Sequence, residues 1–276
     1  MDRASIAIQD FREQDLEDLN EYLVKLLPFS VNMIASARDH MERCRILMAR
    51  ERNSIVGVLV EFHSNYNRHI WLDPIIWITG NSRVASLLIK ERGFLPAIVI
   101  SQSNFSRGMP SEKHNIHVFE EYIMVAKLDH IPEEIKMNKG EIRRLGYKDI
   151  VDSLHISGFK PEDIDQDTLS MEERFLNERI CLGMFADGRL VSRGAIMSTT
   201  DEYASVGAFL TANDARRMGY GSDIVLQTMR MASTYSRNAC LFARTTNDNA
   251  ISLYRKLGFE IKEKVYFTDM GTGSMP

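Results

Sequence analysis

Arg216-Arg217-Met218-Gly219-Tyr220-Gly221-Ser222 is the stretch on which the reading of this chain turns. It follows Ala204 to Thr211, an apolar run that reads as a strand. It opens Gly221 to Ser236, where Ile224, Val225, Thr228 and Met231 or Ala232 recur at helical spacing. A turn from strand into helix leaves the first helical N–H groups without partners and points the positive end of the helix dipole outward. Gly219 and Gly221 let the backbone approach an anion closely, and Arg216 and Arg217 supply charge-assisted contacts. A phosphate-binding turn is one reading; a plain strand-to-helix connection is the other, because a glycine-containing turn alone has low specificity.

A second segment, Asn247-Asp248-Asn249-Ala250-Ile251-Ser252-Leu253-Tyr254-Arg255-Lys256-Leu257-Gly258-Phe259, comes directly after another strand-like run, Cys240 to Thr245. Together the two segments resemble the GNAT (GCN5-related N-acetyltransferase) superfamily. The first follows the pattern Arg/Gln, two residues, Gly, one residue, Gly/Ala. The second follows the series Asn, Ala, Leu-Tyr and Gly-Phe, in the family order. The resemblance covers about residues 138 to 270 and implies an acyl-CoA-dependent acyltransferase, acetyl-CoA being the foremost donor.

The resemblance also implies roles. Strand Gly207 to Thr211, with Phe209, Leu210 and Thr211 at its end, would pair with the pantetheine arm. Arg216, Arg217, Met218, Gly219, Tyr220, Gly221 and Ser222 would hold the pyrophosphate. Asn247 or Asn249 would contact the cofactor where the strands part, and Tyr254 would aim its phenol at the sulfur. An amine attacking a thioester builds an oxyanion and expels a thiolate, so fixed dipoles and a proton source are needed. Tyr254 can donate that proton, or it is a core tyrosine of the last helix. No histidine lies beyond position 155, which leaves carboxylates as candidate bases. Glu202, with Asp201 beside it, is the candidate, acting directly or through a water; a solvated turn is the alternative.

Working outward, the same order of elements occurs twice. The amino half reads as strand Ala4 to Asp10, helices Glu13 to Leu27 and about Ser30 to Arg43, and a hairpin of Arg45 to Arg50 with Ile55 to Phe62. Strand Ile75 to Thr79, helix Ser82 to Arg92, and strands Ala97 to Ser101 and Val118 to Lys127 follow. Asp129 to Gly140 reads as a linker. Strand Glu141 to Leu145, helices Asp149 to Ile156 and near Ser170 to Asn177, and a hairpin turning at Asp187-Gly188 then lead to Ala204. The expected architecture is α/β (α+β): tandem GNAT-like domains, each a mixed, mostly antiparallel central sheet flanked by helices. The boundaries are 1–128 for a degenerate amino-terminal domain, 129–140 for the linker, 141–270 for the catalytic domain and 271–276 for a flexible tail. Where the cofactor turn should stand, the amino half has Thr79-Gly80-Asn81-Ser82-Arg83, with one glycine and one arginine. That half would shape the acceptor pocket, pack as a pseudo-dimer partner or carry a homodimer interface. His63, His69, His114 and His117 read as surface or loop residues, and Trp71 and Trp77 as core, with a place lining the acceptor groove as the alternative.

Composition sets the class. With 276 residues, 44% hydrophobic and 26% charged, the chain suits a globular protein with a real core. A net charge of −4 gives no general reason to bind nucleic acid or an anionic membrane. No apolar run nears the roughly 20 residues of a membrane span, and Met1 to Phe11 lacks a secretory core, so a cytoplasmic protein is expected. Cys44, Cys181 and Cys240 are too few and scattered for a disulfide framework or a metal cluster, and no metal is expected. Three functions remain open: N-acyl transfer to a small amine, amino acid or peptide amine; a non-catalytic acyl-CoA sensor or interaction module; and transfer from another acyl or aminoacyl donor.

Overall fold

In the computed structural model, residues 5–63, 74–105, 116–131 and 140–271 are described; His69, Trp71, His114 and most of the expected linker lie outside them. The chain runs β1 (Ile6–Asp10), α1 (Leu16–Val24), α2 (Val31–Asp39), β2 (Cys44–Glu51), β3 (Ser54–Phe62), β4 (Ile75–Ile78), α3 (Ser82–Arg92), β5 (Ile98–Ser101) and β6 (Ile116–Lys127). It continues with β7 (Glu141–Arg144), α4 (Ile150–Ile156), α5 (Gln166–Glu178), β8 (Ile180–Ala186), β9 (Arg189–Thr199), β10 (Tyr203–Thr211), α6 (Tyr220–Ala232), β11 (Asn238–Arg244), α7 (Asp248–Lys256) and β12 (Glu260–Met270). The duplicated order of elements is therefore present, with ends shifted by a few residues.

Local chemistry explains the shifts. Helix α5 begins earlier than Ser170 because Asp165 caps it, its carboxylate accepting from the Thr168 amide at 2.8 Å. Helix α6 buries Ile224, Val225, Thr228 and Ala232, whereas Met231 stays exposed, which resolves the open position in its apolar stripe. Both hairpins turn on paired left-handed residues, Arg52-Asn53 and Asp187-Gly188, as two-residue turns require.

Two compact units emerge, and the division differs from the expected boundaries. One gathers the residues through Ile123 together with those from Glu263 onward; the other spans Met124–Lys262. In the first, the strand order is β1-β2-β3-β4-β5-β12-β6. Tyr266, Phe267, Thr268 and Asp269 pair antiparallel with Ser101, Ile100, Val99 and Ile98, so the carboxyl-terminal strand completes the amino-terminal unit rather than the domain it follows. Val265, Thr268, Asp269 and Met270 are buried there, Met270 in the core that α3 forms with β2 to β5. A terminal strand takes whichever open sheet edge offers unpaired backbone and an apolar slot, and sequence position does not decide that.

In the second unit the order is β7-β8-β9-β10-β11, with the last residues of β6 beside β11. Successive residues of β9 show its two faces. Gly194 looks toward Thr228 of α6, whereas Arg193 reaches Ser153 of α4 and Glu172 of α5. Ser153 also donates to Glu172 at 2.7 Å, and all three side chains are buried. This polar pin ties both helices to the strand beside β10.

Candidate functional site

Strand β10 carries the site because its pairing fails where a ligand needs backbone. Only Tyr203, Ala204 and Ser205 pair with β11, opposite Asn238, Ala239 and Cys240, although the strands run on to Thr211 and Arg244. From Val206 the parallel ladder is open. On its other edge β10 pairs with β9 in a register that slips twice, between Ser205 and Val206 and between Gly207 and Leu210, and Ala208 takes a left-handed φ of 51°. Such bulges bend a strand out of the sheet. The expected parting of strands at Gly207 to Thr211 is thus present.

The turn that follows leaves backbone amides open at the start of α6. Arg217 and Gly219 both have positive φ, 62° and 91°, and the amides of Ser222 and Asp223 close onto the Gly219 carbonyl to start α6. No side chain caps this helix, so its first amides face outward. Arg216 Nε donates to the Thr211 carbonyl at 3.3 Å, tying the turn back to β10. Beyond the parting, Asn247 caps α7, its side-chain oxygen accepting from the Ala250 amide at 3.1 Å.

These parts line one cleft of about 1250 Å³, larger than the ~300–1,000 Å³ of ordinary small-molecule pockets. Of the expected residues it brings together Phe209, Leu210, Thr211, Arg216, Arg217, Gly219, Gly221, Ser222, Asn247 and Asn249. Lys256 also lines it, so the lining holds three cations and no carboxylate or histidine. Lys256 was missed, yet Asn249, Ser252, Leu253 and Lys256 stand at helical spacing opposite the buried Ile251 and Tyr254, and that pattern would have found it.

Four expectations fall elsewhere. Met218 is exposed, and Tyr220 packs against the cluster of Leu182, Met184, Val191 and Ile224, so neither side chain lines the cleft. Tyr254 is buried behind the lining, its ring 6.2 Å from Phe209 and 5.9 Å from Phe259; burial pushes its phenol up to about 12. Glu202 lies at the opposite end of β10, roughly 25 Å along the strand from Leu210 at about 3.3 Å per residue. There it pairs with Arg237 at 2.9 Å and remains half exposed. The structure therefore does not bring Glu202 to the cleft.

In the amino-terminal unit the corresponding strands do not part. All four residues of β4 pair with all four of β5. The Thr79 hydroxyl is engaged by the Val58 amide at 2.9 Å and by the Tyr22 hydroxyl at 3.1 Å. Asn81 caps α3 through the Val84 amide at 3.1 Å. Strand backbone that stands open in the second unit is paired in the first, and one of the first amides of α3 is capped. Trp77 is buried there, as expected.

Comparison with known proteins agrees with this architecture. Residues 181–268 match the family described as FR47-like protein. Among curated protein sequences none matches the chain. A Drosophila protein of known structure is 14% identical over 96% of this chain and 98% of its own, with a TM-score of 0.68. A GCN5-related N-acetyltransferase from Kribbella flavida, also 14% identical, covers 87% of this chain and 96% of its own at a TM-score of 0.59. A tandem GNAT protein from the clavulanic acid biosynthesis pathway, again 14% identical, covers 97% and 99% at 0.58. The chain has the tandem GNAT fold, and its carboxyl-terminal region carries the GNAT-related resemblance.

Proposed function

We propose that this chain is an acyl-CoA-dependent N-acyltransferase, with acetyl as the foremost acyl group and an amine of a small molecule, amino acid or peptide as acceptor. The observation that carries the reading is the cleft at the parted end of β10: uncapped amides at the α6 turn, three cations and no acid. Such a lining fits a ligand with several phosphates and an extended arm.

The residues fit that ligand in a definite order. Amides of the Arg216 to Ser222 turn, with Arg216, Arg217 and Lys256, would hold phosphates, and backbone of β10 beyond Ser205 would pair with the amide arm. A bound acyl-CoA supplies a thioester carbonyl as electrophile. Unpaired β10 amides are the groups available to stabilise the oxyanion. A phenol at about 12 would give up its proton to a thiolate, whose acid form lies near 8.5, only uphill by roughly 5 kcal/mol. Tyr254, buried behind the lining, is therefore not the proton source for the leaving thiolate.

A second reading, a non-catalytic acyl-CoA-binding module, is favoured by the absence of any carboxylate or histidine in the lining and by the distance of Glu202. Incubation with acetyl-CoA and a broad amine panel, following free thiol, separates the two. Amine-dependent thiol release supports transfer; tight binding of acetyl-CoA with no release on any amine supports the module.

A further inference from the structure

Hydrogen counting at the rim of the cleft assigns a polarity to one hydroxyl. Ser192 of β9 is fully buried. Its Oγ lies 2.8 Å from the Leu210 carbonyl and 2.9 Å from Thr211 Oγ1. A carbonyl only accepts and a serine hydroxyl has one hydrogen, so that hydrogen goes to Leu210. The hydrogen between the two hydroxyls is then the one on Thr211. Thr211 lines the cleft, and its oxygen stands beside Gly221, where an added Cβ would come within 3.2 Å of it.

With its hydrogen directed to Ser192, Thr211 offers the cleft lone pairs alone. We infer that Thr211 is a specificity-determining residue that accepts from an N–H of the ligand and disfavours phosphate oxygens, with Ser192 as the residue that sets its orientation. Resting on the acyl-CoA reading, this assigns to Thr211 a secondary amide N–H of the cofactor arm. It also keeps phosphates on the Arg216 to Gly221 side of the turn. A phosphate placed against Thr211 would meet oxygen lone pairs with no hydrogen between them, a desolvated contact without compensation.

Calorimetric titration of the full chain with CoA and with ADP, which lacks the amide arm, tests the assignment. Thr211→Val keeps the shape and removes the acceptor; it is expected to weaken CoA about fivefold and leave ADP unchanged. Thr211→Ser retains the hydroxyl and should bind CoA within about twofold of the parent. Thr211→Ala takes the place of Thr211→Val if circular dichroism finds the latter unfolded. Unchanged CoA affinity in the hydroxyl-free variant, equal loss for CoA and ADP, or a Thr211→Ser loss as large as that of Thr211→Val each overturns the inference. Failure of the parent chain to bind CoA overturns the proposed function itself, a result that no Thr211 variant is needed to see.

Discussion

Gly194→Ala is the most incisive perturbation of the cleft that lies outside it. A Cβ built on Gly194 would stand 2.5 and 2.6 Å from two carbons of the Phe209 ring and 3.0 Å from Thr228 Oγ1. Carbon pairs settle at about 3.5–4.0 Å, so the ring must withdraw by roughly 1 Å. The helix side has little room, because the Thr228 hydroxyl is held by the Ile224 carbonyl at 2.7 Å. Phe209 can move only toward Tyr254, its ring neighbour at 6.2 Å, or into the cleft that it lines. Overpacking of this kind costs about 1–3 kcal/mol. At about 2 kcal/mol the second unit would melt roughly 4–8 °C lower. A ring displaced into the cleft should also weaken CoA by about tenfold. Gly207→Ala is the control, since its Cβ would meet Met197 at an ordinary 3.7 Å and should change stability by under about 0.5 kcal/mol. Differential scanning calorimetry with CoA titration reads both variants. An alanine at 194 that leaves melting and CoA affinity unaltered would refute the packing of Phe209 on which the cleft depends.

Three further outcomes follow from the same geometry. Glu202→Gln should keep turnover within about twofold of the parent, because a general base normally contributes 10²-fold or more; a drop of that size would return Glu202 to the mechanism. Tyr254 has a folded phenol raised to about 12 against about 10 unfolded, so its stabilising contribution is complete below pH 10 and disappears as pH climbs from 10 to 12. Across that window the parent should therefore lose about 2.7 kcal/mol of stability relative to Tyr254→Phe in denaturant melts, and a difference that stays constant would contradict the burial. Ending the chain at Lys262 removes Val265, Phe267 and Met270 from the first unit, a loss of about 1.5–3 kcal/mol for each buried side chain. That total rivals the whole stability of a domain, so hydrogen exchange at Ile98–Ser101 should accelerate sharply; unchanged protection there would place the strand elsewhere.

Much of this protein was legible in its residues, where the controlling forces are local. Alternating apolar runs, Asp187-Gly188 and the caps around Asn81 and Asn247 act over a few residues, so the two rounds of elements could be read in order. Arg216 to Ser222 was legible in part: its glycines, arginines and helix start fit an anion-binding turn or a plain strand-to-helix connection without reference to the rest of the chain. Helical spacing on α7 contained Lys256 as well. Long-range pairing was beyond such reading. Nothing in Glu260 to Met270 states which sheet edge it will join, because strand partners are chosen by unpaired backbone and apolar slots supplied from distant residues. Nor does the sequence around Glu202 reveal that β10 carries it away from the cleft, or that Tyr254 lies behind Phe209. Residue chemistry determined which groups the candidate site offers; the parting of β10 from β11 after Ser205 determined where they meet, since a gap between strands exists only once both have been brought together.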